Sequence, residues 1–174
     1  DPTGGVTGDI EVPADFVVRS VPHDLAFQLD HEIVNYNKTT GYIEMWVEIP
    51  SMSSSSNTPI FLCYGNSSVT ESQENIAGTW SSDFVGAWHL KEQNGVWLDE
   101  GDTVFNSAQG GDLTVDNGYG PRREGGGKIG RALKFEDPVL ETSPHPVLEG
   151  NVGTTDDSSF TLAAWVKSSA GARR

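Results

Sequence analysis

The first residues that could do chemistry are carboxylates. Glu44, Trp46 and Glu48 occupy alternate positions of Glu44-Met45-Trp46-Val47-Glu48, and on a strand positions i, i+2 and i+4 share a face. Two acids on one strand face are what a jelly-roll glycosidase uses to flank a glycosidic bond. In such strands a third acid stands between the pair, and here that place is taken by Trp46. The group that would orient a nucleophile is missing, so the plainer reading is that Glu44 and Glu48 solvate the outer face of a strand. Trp46 on that face is then a half-buried cover or a surface platform.

A second set of oxygen-bearing side chains, Glu92, Asp99, Glu100, Asp102, Asn106 and Asp112, gathers among glycines. Hard oxygen ligands of this kind suit calcium, and Asp99, Asp102, Asn106 and Asp112 are the candidate ligands. No strict ligand spacing accompanies them, and Asp156-Asp157 is a weaker second cluster. Saccharides pack their C–H faces on aromatic rings while their hydroxyls seek amides and carboxylates. Trp97 and Tyr119, in glycine-rich surroundings, are the candidate ligand-binding aromatics, whereas Trp88 and Trp165 fall inside strand patterns and read as core.

Other chemistries lack support. His23, His31, His89 and His145 show no paired ligand spacing, and one cysteine, Cys63, adds nothing toward zinc. No serine sits in a strand–nucleophile–helix elbow. Gly125-Gly126-Gly127-Lys128 lacks the length and the following Ser or Thr of a phosphate loop, and reads as a mobile turn. Cys63 lies in the apolar run Ile60–Tyr64 and is expected to be a buried thiol. Asn37-Lys38-Thr39 and Asn66-Ser67-Ser68 have the form of glycan acceptors, a form common by chance in a chain this rich in Ser, Thr and Asn.

The elements that must position these groups are strands. Ile43, Met45, Val47 and Ile49 alternate with Tyr42, Glu44, Trp46 and Glu48, the period of two of a half-buried strand. His31–Tyr36 alternates less cleanly, and Asn37–Gly41 between them has the composition of a hairpin loop. Further strands are predicted at Asp15–Arg19, Leu25–Leu29, Thr58–Tyr64, Phe84–Leu90, Asp112–Val115, Ile129–Phe135 and Phe160–Val166. Thr58–Tyr64 is apolar on both faces and predicts a central strand covered on either side. The best helical candidate, Ser72–Ala77, is about one turn. Many short strands with glycine-rich punctuation predict an all-β fold, an antiparallel β-sandwich or jelly roll.

Composition bounds the function. The chain has 174 residues with a formal charge of −14, which repels nucleic acid and anionic lipid. No run approaches the ~20 apolar residues of a membrane-spanning helix, and no basic-then-apolar leader opens the chain, so a soluble domain is expected with any leader already absent. High acidity and few lysines fit an extracellular or cell-surface protein.

Leu29-Asp30-His31-Glu32-Ile33, Thr40-Gly41, Trp46-Val47-Glu48-Ile49-Pro50-Ser51, Ile60–Leu62 with Tyr64-Gly65-Asn66, and Val85-Gly86-Ala87-Trp88-His89-Leu90 resemble, in order and spacing, the bacterial and archaeal family labelled domain of unknown function 2341, over about residues 9–90. Gly127–Phe135 and Phe160–Lys167 resemble the opening strands of a laminin-G or concanavalin A-like lectin domain. The resemblance implies a β-rich domain at 1–83 followed by the N-terminal part of a lectin-like module at 84–174, with both ends cut. The two halves then form two incomplete sandwiches or merge into one. It also implies large secreted or surface proteins, and calcium is frequent in the second fold. The expected function is a noncatalytic extracellular module that binds glycan or protein, with calcium as a candidate cofactor. The alternatives are a structural spacer that self-associates through exposed strand edges, and a glycoside hydrolase using Glu44 and Glu48.

Overall fold

The computed structural model describes residues 12–21, 24–90, 98, 103–108, 111–115, 120–124, 126–129, 131–135, 148–150 and 161–168. Among these the chain is mostly strand with almost no helix, and every strand pairing is antiparallel. The strands are β1 (Val17–Arg19), β2 (His31–Asn37), β3 (Tyr42–Val47), β4 (Phe61–Cys63), β5 (Thr103–Val104), β6 (Leu113–Val115), β7 (Arg122–Glu124), β8 (Ala132–Lys134) and β9 (Leu148–Glu149), with one helical turn, α1 (Ile76–Thr79), between β4 and β5. They form small sheets: β1 with β4, β2 with β3, β5–β6–β9, and β7 with β8.

The β2–β3 hairpin is the longest pairing. Its register runs His31 to Val47, Glu32 to Trp46 and Ile33 to Met45, then resumes one residue later with Asn35 to Glu44, Tyr36 to Ile43 and Asn37 to Tyr42. Val34 is therefore the extra residue of a β-bulge, and it is buried. The bulge explains why His31–Tyr36 alternates poorly in sequence. With Val34 skipped, Glu32, Asn35 and Asn37 share one face with Trp46, Glu44 and Tyr42, while His31, Ile33 and Tyr36 share the other with Val47, Met45 and Ile43. At the tip, Gly41 adopts φ 70°, a left-handed conformation that favours glycine, and its N–H reaches the Asn37 carbonyl at 2.8 Å.

The second edge of β2 is covered by residues ahead of α1. Asn75 N–H donates to the His31 carbonyl at 3.1 Å, and Glu74 Oε1 accepts from Ile33 N–H at 2.6 Å. Asn75 then caps α1, its Oδ1 accepting from Gly78 N–H at 3.2 Å while its Nδ2 donates to Asp30 at 2.9 Å. Gly78 leaves room there for the Asp30 carboxylate and the Asn75 amide, which a Cβ would push aside. With β3 on one edge and this segment on the other, β2 is buried from His31 to Val34. A second apolar cluster joins Leu98, Val104 and Val115, with Trp88, Leu90, Leu113, Leu133 and Leu148 packed against it.

Several expectations are corrected. Leu25–Leu29 is not a strand: Leu25–Phe27 forms a 3₁₀ turn in which Asp24 Oδ1 accepts from Ala26 N–H, and only Gln28 and Leu29 run back against β1. The expected central strand at Thr58–Tyr64 is three residues long and pairs with β1 alone among the described residues. One face is uncovered, leaving Ile60, Leu62 and Tyr64 exposed, Tyr64 at 73%, and Cys63 only half-buried. Phe84–Leu90 is reduced to a bridge between Trp88 and Asn106. Residues 161–168 carry no strand pairing and are all exposed, so Trp165, at 74% exposed, is no core residue. Alternating apolar side chains are buried only where a second layer meets them, and here Trp165 meets Lys128, whose Nζ lies 5.7 Å from its ring. β7, where no strand was predicted, ends just before the glycine run Gly125–Gly127.

Candidate functional site

The best-formed polar cluster is built around Glu32. Its strand position sets its side chain on the face shared with Trp46, and its side chain is fully buried, at 0% exposure. Three donors from three separate segments converge on its carboxylate. Trp80 Nε1 donates to Oε2 at 2.8 Å, His89 Nε2 donates to the same oxygen at 2.9 Å, and Ser107 Oγ donates to Oε1 at 2.7 Å. An ionised carboxylate accepts only, so Nε2 of His89 carries a proton. Aromatic rings close the roof: Trp46 stacks on His89 with centroids 6.0 Å apart and tilts against Trp80 at 5.4 Å, and Phe84 meets Trp80 edge-on at 5.2 Å. Trp46, at 37% exposed, is thus the half-buried cover of a site that joins residues on both sides of position 83.

Burial by itself would push the Glu32 carboxyl up. The hydrogen bond and charge of His89, together with the hydrogen bonds from Ser107 and Trp80, outweigh that effect and hold it down at about 2. The arrangement is an anion clamped by donors. In a hydrolytic triad the histidine lies between hydroxyl and acid, whereas here the acid lies between Ser107 and His89. A carboxylate held this low is too weak a base to activate a serine, and no face of it meets solvent. On the opposite face of β2, His31 is equally buried; its Nδ1 donates to the Leu29 carbonyl at 3.0 Å.

No family model, curated protein or solved structure matches the chain.

The residues singled out from sequence fall elsewhere. Trp97, Tyr119, Asp99 and Asp102 lie outside the described residues, as do Asp156-Asp157. Asn106 and Asp112 are brought together, with Asn106 N–H donating to Asp112 Oδ1 at 2.8 Å. Asn106 is a backbone clamp: its Oδ1 accepts from Ala87 N–H at 2.8 Å and Ala108 N–H at 2.9 Å, and its Nδ2 donates to the Val85 and Gly111 carbonyls, each at 3.1 Å. Those four bonds fill the capacity of a side-chain amide, so a cation at Oδ1 would have to displace one. Among the described residues no three His, Cys, Asp or Glu side chains converge as a metal-binding group. Glu44 accepts from Tyr42 Oη at 2.5 Å and from Asn35 Nδ2 at 3.1 Å, and its hydrogen bond raises the Tyr42 phenol above its usual value. Glu48 lies just past the end of β3, its N–H donating to the Asp30 carbonyl at 2.9 Å.

The Glu32 cluster was not assembled from sequence. Its signal was present: an acid beside the apolar pair Ile33-Val34, and a histidine between Trp88 and Leu90. A charge inside an apolar pattern calls for a buried partner, but residues separated by 48, 57 and 75 positions are joined only by the fold.

Proposed function

We propose that the chain is a noncatalytic β-sandwich module of an extracellular or surface protein, similar to the domain of unknown function 2341 family followed by the start of a lectin-like module, which binds glycan or protein. The observation that carries this reading is the sealing of Glu32. The most perturbed acid in the described structure holds segments together and is turned away from solvent, which leaves contact surfaces to do the work. The acidic charge of −14 and exposed rings such as Tyr42 and Tyr64 suit hydroxyl-rich or basic partners better than anionic ones. Glycan-array screening and calorimetric titration of the folded chain, with and without calcium, test the reading. Saturable binding is expected, strengthened by calcium if Asp99, Asp102 and Asp112 meet around an ion. Silence toward polysaccharides and extracellular proteins alike would overturn it.

A spacer or assembly unit is the second reading, favoured by one observation: among the described residues β4 and β8 are each paired on one edge only. Open edges accept a strand from another chain. Sedimentation at rising concentration should then show association, and a strict monomer would remove this alternative.

A further inference from the structure

We propose that Asn37 and Asn66 are acceptors for N-linked glycans. Each opens a tripeptide of acceptor form with a residue other than proline in its middle, Asn37-Lys38-Thr39 and Asn66-Ser67-Ser68. Sequence alone gives such tripeptides little weight; the conformation they share gives them more. Asn37 is the last residue of β2 and Asn66 follows the end of β4 by three residues. Both asparagines are exposed, and so are Thr39 and Ser68. In both, the side-chain Oδ1 accepts the backbone N–H two residues on, from Thr39 at 3.0 Å and from Ser68 at 3.1 Å. This Asx turn holds the amide by its oxygen and folds the hydroxyl-bearing residue back beside it.

The nitrogen decides the assignment. Asn35, Asn75 and Asn106 each commit Nδ2 to the fold, donating to Glu44, to Asp30, and to the Val85 and Gly111 carbonyls. Asn37 and Asn66 use Oδ1 in the hydrogen bonds of their side chains and leave Nδ2 without a partner among the described residues. Their turns are held by other groups. Gly41 N–H closes the Asn37 loop, Val69 N–H bonds the Asn66 carbonyl at 3.0 Å, and Asp15 Oδ2 accepts from Asn66 N–H at 2.6 Å. Modification at Nδ2 therefore breaks no hydrogen bond among the described residues and adds a bulky polar group at an exposed position.

In the reaction Nδ2 bonds to C1 of a sugar carried by a lipid-linked oligosaccharide. The bond from C1 to the phosphate oxygen breaks, the lipid phosphate leaves with the electron pair, and one Nδ2 proton passes to solvent. The transferase works outside the cytoplasm, a location the proposed function shares. The test is secretion of the chain from a host with an oligosaccharyltransferase, with intact mass measured before and after peptide N-glycosidase. Two glycans are expected, one lost in Asn37→Gln and the other in Asn66→Gln, with the same separate losses in Thr39→Ala and Ser68→Ala, which keep each asparagine. Ser54→Asn, which completes a third acceptor tripeptide with Ser55 and Ser56 in an exposed loop, serves as the control for access. A chain modified at that position with Asn37 and Asn66 bare overturns the proposal, as does a mass equal to the polypeptide alone; a glycan on one site only overturns it for the other.

Discussion

Replacing Glu32 by alanine should be among the most damaging single changes in the chain. The substitution removes an acceptor that is fully buried and leaves Trp80 Nε1, His89 Nε2 and Ser107 Oγ facing a void. Breaking a buried, hydrogen-bonded charge by deleting one partner costs about 3–5 kcal/mol. The depressed carboxyl points to a similar size: a shift from 4.5 to about 2 corresponds to about 3 kcal/mol of stability at neutral pH. Glu32→Gln separates shape from charge. Its amide oxygen can still accept from Trp80 and His89, and its NH₂ can donate to a reoriented Ser107 hydroxyl, so the loss should be that of the charge alone, about 3 kcal/mol at neutral pH and at the low end of the alanine range.

The sign of the pH dependence follows from the direction of the shift. Because the folded value is depressed, the contribution of Glu32 is fully present above about 4.5 and disappears as pH falls toward about 2. Urea unfolding followed by tryptophan fluorescence, which Trp46 and Trp80 report from within the cluster, measures both variants. The gap between wild type and Glu32→Gln should close between pH 5 and pH 2, where a protonated carboxyl and an amide are nearly alike. A Glu32→Ala chain within about 0.5 kcal/mol of wild type at pH 7, or a Gln gap constant across that range, would refute the clamp.

Trp46→Ala should cost about 1–2 kcal/mol despite the exposure of the indole, since it strips the ring stacked on His89 and tilted against Trp80; a calorimetric melting temperature unchanged from wild type would contradict this. Asn106→Ala removes four side-chain hydrogen bonds to backbone and should cost about 2–3 kcal/mol, with amide exchange at Ala87 and Ala108 accelerated by at least about tenfold. Gly78→Ala should cost about 1–2 kcal/mol because Asp30 and Asn75 must give way to the new methyl, and loss of the Asn75–Asp30 contact in the variant's crystal structure would show it.

What sequence disclosed and what it hid follow one physical line. The β3 alternation and the turn at Asn37–Gly41 were legible because both are local: period two needs one sheet face, and Asn37 bonds Thr39 and Thr40 a few residues away. The all-β class was legible for the same reason. The Val34 bulge was visible only as imperfect alternation, since an extra residue is defined by its partner strand. Thr58–Tyr64 misled because an apolar run states what could be buried and says nothing of how many neighbours arrive; β4 has one described neighbour and leaves Tyr64 out. Asn106 and Asp112 meet in the fold, but the cluster of oxygen-bearing side chains could not show that the Asn106 amide is taken up by backbone.

The cluster also shows why a carboxylate stands where an apolar residue would be easier to bury. Leucine at position 32 would fill the space, yet Trp80, His89 and Ser107 would each keep a buried donor without an acceptor, and the penalty of those orphans exceeds what one apolar side chain returns. Changing all four at once could restore stability, but that needs coordinated substitution at four places in four segments. Glu32 therefore fixes register more than it adds energy: Trp80 Nε1 and His89 Nε2 can share Oε2 only when the segments carrying them meet β2 at this residue, opposite Trp46. A one-residue slip of β2 would turn Glu32 to the opposite face of the hairpin and bring His31 or Ile33 to the donors, and neither could accept from three of them. The buried charge makes that slip costly, and so ties the hairpin to the chain beyond position 83.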